Sequence, residues 1–262
     1  MRRRIGIACM ALAFGVWLSF VYTYVPFGRE TLLLSELICQ LSGDKLGFGM
    51  GELLKFTLVM LPFLVFQAYM GTMLYRNYCT ASVYVFSRIP KRLVWYRREV
   101  VALGVECLAY QLLVVLAAVV VSMRLPVILD GQGVELLIYR VAIWSMWTFA
   151  CTLGINLLAI RFDSSIAFAV VGGVQAVFIS LFAILAPLQE QEQEVLLETL
   201  KRINPVSCLV LGWHTSRFWE GKGIIYIQDS LLAVVVMAAV VTWIGARVVK
   251  NHDLLVSDMN GA

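Results

Sequence analysis

The chain has 262 residues, of which 61% are hydrophobic and 15% charged, with a formal net charge of +4. A soluble domain of this length is ordinarily about a quarter charged, so the composition excludes an ordinary water-soluble globule and makes lipid the main solvent. The net charge is too small to imply a nucleic-acid partner, and the placement of the charges along the chain is the informative part.

The first residues, Met1 to Arg4, carry three arginines ahead of an apolar run over 5–25. That run exceeds the ~7–15 residues of a signal-peptide core, and no small-x-small cleavage site precedes Pro26. It is therefore expected to stay as a first span, with Arg2, Arg3 and Arg4 holding the N-terminus inside. In the segment 27–52, Leu32, Leu33, Leu34, Leu37, Ile38 and Leu41 gather toward one side of a helix at a 3.6-residue period. Asp44 and the glycines at 43, 47, 49 and 51 then break it. The segment reads as an outer helix lying in the membrane interface or as a structured outer loop.

A second span over 53–75 contains Pro62 and Gln67. After it comes RNYCTASVYVFSRIPKRLVWYRRE (76–99), in which Arg76, Arg88, Lys91, Arg92, Arg97 and Arg98 face a single acid, Glu99. A short basic loop beside a span stays on the cytoplasmic side. Its aromatic content (Tyr78, Tyr84, Phe86, Trp95, Tyr96) does not suit a solvated linker. It reads as a short interfacial helix followed, from Pro90, by the start of the next span, because proline suits the first turn of a helix. Its expected role is a docking lever for a cytoplasmic partner.

The third span covers 100–123 and the fourth 141–160, with Arg140 at the outer edge and Trp144 and Trp147 one turn inward. The turn at 161–165 is short enough to make spans four and five, 166–187, antiparallel neighbours. A second outer segment, 188–229, opens on four glutamates and then turns apolar, and a sixth span covers 230–249. Each run holds ~20 residues, enough to cross a hydrocarbon core of about 30 Å. The expectation is an all-α integral membrane protein: one transmembrane domain over 1–262, six helices, N-in and C-in, with outer interfacial or re-entrant helices. On the proposed inner side lie twelve basic residues (Arg2, Arg3, Arg4, six in the basic stretch, Arg161, Arg247, Lys250) and four acids. That asymmetry sets the orientation.

Catalytic patterns are missing. The sequence has no GxxxxGK[ST], no HExxH and no GxSxG, so no catalytic residue, metal ligand or cofactor is expected in this chain. The six cysteines show no metal-ligand spacing, and the topology leaves a Cys39–Cys208 disulfide on the outer side open. Glu106 is the strongest intramembrane signal, because an acid in a span is costly and faces the bundle interior or marks a pathway. Arg92, Glu99, Leu103, Glu106 and Tyr110 share one stripe. Glu106 reads either as a gating residue paired with a cation such as Arg161 or as a hydrogen-bonded structural acid. Gln67, Gln111, Asn156 and Gln175 read as interhelical glue or as a substrate lining.

Arg76 and the run VFSRIPKRLVWYRREV (85–100) resemble the first cytoplasmic loop of type-two ATP-binding-cassette exporter permeases. The similarity is to the lantibiotic-immunity and bacitracin-resistance branch, with Ser87-Arg88 and Lys91-Arg92 followed by Trp95 approximating its basic-aromatic pattern. Asn204-Pro205 is similar to the Asn-Pro ahead of the final span in such permeases. The resemblance implies a bacterial plasma-membrane subunit that pairs with a second copy or a sister permease and binds two cytoplasmic ATPase subunits, which hold the ATP and Mg. It further implies that Arg76, Tyr84, Phe86, Arg88, Lys91, Arg92 and Trp95 couple to the ATPase, with Arg161 as a secondary contact. The cargo implied is an amphipathic peptide, such as an antimicrobial peptide, or a lipid-like molecule. Two other readings stay open: a non-transporting immunity or sensor protein that binds a peptide, and the substrate-capture component of a vitamin importer.

Overall fold

The computed structural model describes residues 2–43, 50–80, 92–190, 194–215 and 225–251. Six long helices dominate: α1 (Arg2–Tyr22), α3 (Met50–Met70), α5 (Arg92–Ser122), α6 (Gly131–Arg161), α7 (Ser164–Glu190) and α9 (Ile227–Asn251). Among the described residues, six stretches of helix are long and apolar enough to cross a bilayer. A lipid solvent favours this architecture, because every backbone N–H and C=O in a helix is satisfied within the segment. Among the described residues there are also three short α-helices: α2 (Leu34–Gln40), α4 (Met73–Tyr75) and α8 (Glu194–Ile203).

Burial along α5 shows which solvent each face meets. Val101, Val105, Leu108, Leu112, Leu116 and Val120 are exposed, spaced three or four residues apart along one side. Leu103, Cys107, Tyr110, Val114 and Ala118 are buried on the other. An exposed apolar stripe of that length is a liability in water and is what a lipid-facing helix requires.

α1 packs along α5, and the two run parallel. Gly15 is essential to the contact: a Cβ there would lie 2.5 Å from the Val114 carbonyl oxygen and 2.6 Å from the Ala117 Cβ. Small residues allow such close approach, which is what holds helices together where no hydrophobic force acts between them. Toward the far end of the pair the Ser19 and Ser122 hydroxyls meet at 2.7 Å.

Short segments cap that far end. Asp130 precedes α6 and accepts from Gly133 N–H at 3.1 Å and from Ser35 N–H, in the first turn of α2, at 3.0 Å. One carboxylate thus satisfies orphan donors of two helices. Beside it, β1 (Leu32–Leu33) pairs in parallel with β2 (Val127–Ile128). The outer helix expected within 27–52 is therefore α2, seven residues long, with Leu34, Leu37 and Ile38 buried against the bundle rather than laid on lipid. Residues 44–49 lie outside the described residues. The described part of the segment 188–229 holds α8, two 3-10 turns (Pro205–Leu209 and Leu211–Trp213), and a parallel pair of β3 (His214–Thr215) with β4 (Ile225–Tyr226). Cys39 and Cys208 are not joined by a disulfide.

At the opposite end, Asp163 turns α6 into α7. The backbone N–H groups of Ser164 and Ser165 hold its carboxyl below the usual carboxylate range, a cap that also favours the positive end of α7. The starts of α1 and α7 and the ends of α3 and α4 meet here around one cavity. The start of α5 and the end of α9 lie at the same end, where the Tyr78 hydroxyl donates to the Val249 carbonyl at 3.3 Å. This is the basic end of the bundle.

Candidate functional site

The basic end begins where α3 breaks. Gly71 and Thr72 interrupt the helix, α4 adds one turn, and a π-helical turn over Arg76–Thr80 follows. A break inside a membrane bundle strands backbone groups, which something must satisfy. Asn156 of α6 does so: its Oδ1 accepts from Leu74 N–H at 2.7 Å, and its Nδ2 donates to the Met70 carbonyl at 3.0 Å and the Thr152 carbonyl at 2.8 Å. Asn156 is therefore a structural tie with no exposed surface.

The three glutamines named from the sequence behave the same way. Gln67 of α3 and Gln175 of α7 exchange hydrogen bonds at 3.0 and 3.3 Å, and Trp147 Nε1 of α6 donates to Gln175 Oε1 at 3.4 Å. Gln111 of α5 donates to Thr148 Oγ1 of α6 at 3.1 Å. Each pair links two helices through lipid-excluded contacts, as interhelical glue does. All three side chains are buried within the bundle.

Glu106 lies on the protein-facing side of α5 beside buried Leu103 and Tyr110. Its partner is Arg3, not Arg161: Arg3 Nη2 reaches Oε1 at 2.7 Å and Oε2 at 2.5 Å. The pair is half-sheltered, with 13% of the Glu106 side chain exposed and 37% of Arg3. Arg161 ends α6 with an exposed side chain. Sequence reasoning treated Arg3 only as an anchor for topology. The signal that could have found it is that a parallel α1 and α5 must bring a first-turn cation of one beside an inner acid of the other.

Of the residues expected to couple to an ATPase, Tyr84, Phe86, Arg88 and Lys91 lie outside the described residues. Arg76 is exposed at the start of the π-helical turn, and Arg92 opens α5. Trp95 is 2% exposed. Its ring packs on Tyr78 with centroids 5.7 Å apart, and its neighbour Tyr96 donates to the Thr242 carbonyl of α9 at 2.9 Å. These aromatics bolt the start of α5 to the turn after α4 and to the end of α9, while Arg97 and Arg98 point outward.

A cavity of about 680 Å³ opens at this end, lined by Arg3, Tyr69, Thr72, Tyr75, Arg76 and Ser164, among others. No family model, curated protein or solved structure matches the chain. The arrangement is therefore judged on its own chemistry: the Arg76 guanidinium and several hydroxyls, beside an Arg3 already paired with Glu106, suit anionic or hydrogen-bonding groups. Among the described residues, no group of three His, Cys, Asp or Glu side chains could hold a metal ion.

Arg140, expected beside the outer edge of a span, is enclosed by protein: helix α6 begins at Gly131, two and a half turns earlier, and the Arg140 side chain is 1% exposed. Its guanidinium carbon lies 3.7 Å from the Trp144 ring centroid and 5.8 Å from that of Phe63. Its Nε and Nη1 have no hydrogen-bond partner. Stacking on two aromatic faces replaces the missing counter-ion in part.

Proposed function

We propose that this chain is the membrane-spanning subunit of an ATP-driven exporter of the type-two ATP-binding-cassette class. In this reading the basic end faces the cytoplasm and meets separate ATPase subunits, which bind and hydrolyse the ATP. A second copy or a sister permease completes the pathway in a bacterial plasma membrane. The cargo is an amphipathic peptide or lipid-like molecule, expelled outward.

The observation that carries this reading is the length and anchorage of α5. It is an unbroken helix of 31 residues, about 46 Å at 1.5 Å per residue, half as long again as a hydrocarbon core of about 30 Å. Because Arg3 in the first turn of α1 pairs with Glu106, the fourteen residues of α5 before Glu106 run about 20 Å past the start of α1. A stiff rod that joins a cationic, partner-accessible end to the far side of the bundle transmits a push without bending. ATP-driven closure of the partner would move the 76–99 stretch, and α5 would carry that displacement into the bundle.

The test is co-expression with a candidate partner ATPase of the ATP-binding-cassette class. Arg88→Glu combined with Arg92→Glu should abolish co-purification and cargo-stimulated ATP hydrolysis, leaving the fluorescence size-exclusion profile of the membrane subunit intact. Undiminished coupling in the double variant would remove the lever from the mechanism.

A further inference from the structure

Helix α3 lies between α1 and α7. Toward the far end the Tyr22 hydroxyl of α1 donates to the Lys55 carbonyl at 3.1 Å, and near the basic end a Cβ on Gly6 would lie 3.8 Å from the Tyr69 hydroxyl. On the other flank Gln67 meets Gln175 of α7, and Phe56 meets Phe182 with ring centroids 6.2 Å apart. The inner side of α3 packs Phe63 on Trp144 and Phe66 on Tyr110. Its outward side is left open, and there Leu58, Leu61, Val65 and Ala68 follow three or four residues apart, Val65 half-buried and the others exposed. From Leu58 to Ala68 the helix rises about 15 Å, the depth of one leaflet in a hydrocarbon core of about 30 Å.

This apolar strip ends in the cavity of about 680 Å³ at the basic end, because Ala68 and Tyr69 both belong to the cavity's lining. Thr72, Tyr75 and Arg76 continue the lining past the break in α3. Among the described residues, nothing pairs with the hydroxyls of Tyr69, Thr72 and Tyr75 or with the Arg76 guanidinium. Arg3, Tyr69 and Ser164 stand in the terminal turns of α1, α3 and α7. The cavity therefore lies where three membrane-crossing helices leave the hydrocarbon, at the height of lipid headgroups.

The charge of the wall is positive. Among the described residues no acid lines the cavity. Arg3 spends Nη2 on both oxygens of Glu106, so those two charges cancel. Asp163, beside the lining Ser164, accepts from Ser165 N–H at 3.2 Å as the cap of α7. Arg76 is left with an exposed, uncancelled charge at the head of an apolar strip. The complement of such a surface is an amphipathic anion: charge for the guanidinium, oxygen acceptors for the hydroxyls and a hydrocarbon tail for α3.

We propose that this cavity holds one anionic phospholipid of the leaflet at the basic end, its phosphate on Arg76 and its acyl chains along the outward side of α3 from Ala68 to Leu58. A guanidinium matches phosphate geometry with two parallel hydrogen bonds, the strong kind for this purpose. The Tyr69 and Thr72 hydroxyls donate to the remaining headgroup oxygens. The site goes beyond the export reading, since it requires neither an ATPase nor a second permease, and the chain alone suffices to test it.

Native mass spectrometry of the delipidated full chain in detergent tests the proposal, with phosphatidylglycerol, the matching diacylglycerol and glycerol 3-phosphate as probes. One saturable phosphatidylglycerol per chain is expected, with no retention of diacylglycerol or glycerol 3-phosphate. Arg76→Gln should weaken phosphatidylglycerol binding about tenfold, the worth of one charge-assisted hydrogen bond, and Arg76→Lys should recover part of it. Tyr69→Phe should weaken it about threefold, as the loss of one neutral donor does. Arg247→Gln removes an exposed cation of α9 that does not line the cavity, and binding should be unchanged. Unchanged binding in Arg76→Gln, an equal loss in Arg247→Gln, equal retention of diacylglycerol, or no saturable binding would overturn the site. Stoichiometric binding of glycerol 3-phosphate would overturn it as well, by making the ligand a soluble phosphate ester with no use for the apolar strip. Arg76 and Tyr69 are both exposed, so neither substitution removes core packing and the folded chain remains available for the measurement.

Discussion

Arg3 and Glu106 form a forked ion pair across 103 positions of sequence, and Ser19 meets Ser122 at the same separation. Gly15, between them on α1, faces Ala118 at that offset too, its added Cβ falling 3.1 Å from the Ala118 nitrogen. A constant offset over sixteen residues, about 24 Å of rise, means that α1 and α5 lie side by side, parallel and in register. The ion pair locks one end of that contact and the serine pair the other.

Glu106→Gln should therefore cost about 1–2 kcal/mol, the range for polar contacts between membrane helices and for a part-exposed charged hydrogen bond. Reversible unfolding in mixed micelles measures it. The exchange of Arg3→Glu with Glu106→Arg should restore part of the loss, and a double-mutant cycle isolates the coupling. A parent-like Glu106→Gln would show that the pair contributes nothing to the α1–α5 contact.

Gly15→Ala should destabilise the same contact by about 1–3 kcal/mol, because the new methyl group would press on backbone and the structure must shift to admit it. Gly172→Ala is the matched control: nothing lies within 4 Å of a Cβ at that position. Thermal midpoints of the two variants should separate clearly. Equal midpoints would mean that α1 is not held where the structure puts it.

Asn156→Ala should be the most damaging of the polar substitutions within the bundle. It leaves the Leu74 N–H and the Met70 carbonyl without their side-chain partner at the break in α3, at a cost of about 2–3 kcal/mol for a stranded buried group. The yield of monodisperse protein after a heat challenge reports it. The same substitution at Gln111, whose Oε1 is already without a partner, should cost less.

His214 makes the cap pH-sensitive, and the sign follows from its depressed pKa of about 4 in the folded chain, against about 6.5 for an unfolded histidine. The unfolded state binds the proton more readily between these values, so stability is full above about pH 6.5 and falls progressively as the pH drops toward 4. Hydrogen exchange in the Pro205–Thr215 segment should accelerate across that window, and His214→Asn should flatten the response. An exchange rate independent of pH after correction for intrinsic chemistry would rule out this role.

Much of the fold is legible in the chain because transfer to lipid is a local property. The runs around 5–25, 53–75, 100–123, 141–160, 166–187 and 230–249 are visible from hydropathy alone, and the structure builds a long helix through each. The ends of those helices are less legible. The start of α5 at Arg92 is close to that read from Pro90, but α6 reaches well beyond its apolar run, to Gly131, because a helix continues through polar sequence when neighbours cap and pack it. Arg140 shows the consequence: it precedes the apolar run, and it is enclosed by protein because α6 already starts nine residues earlier at the Asp130 cap.

The polar residues Glu106, Gln67, Gln111, Asn156 and Gln175 were marked by their chemistry, since few such groups enter lipid without reason. Their partners were not, because a partner depends on which helices touch and at what height. Glycine at 15, serine at 19 and arginine at 3 look unrelated in sequence and become one seam only when α1 lies along α5.

The amino-acid sequence by itself determined that this chain threads lipid in six helical passes and concentrates its cations at one end, since solvation acts on each stretch alone. Only the tertiary structure decided that Glu106 meets Arg3, that Asn156 mends the break in α3, and that His214 meets Ser230. Those outcomes depend on close packing between segments more than eighty residues apart or folded back on one another. Shape complementarity, unlike hydropathy, exists only once the surfaces meet.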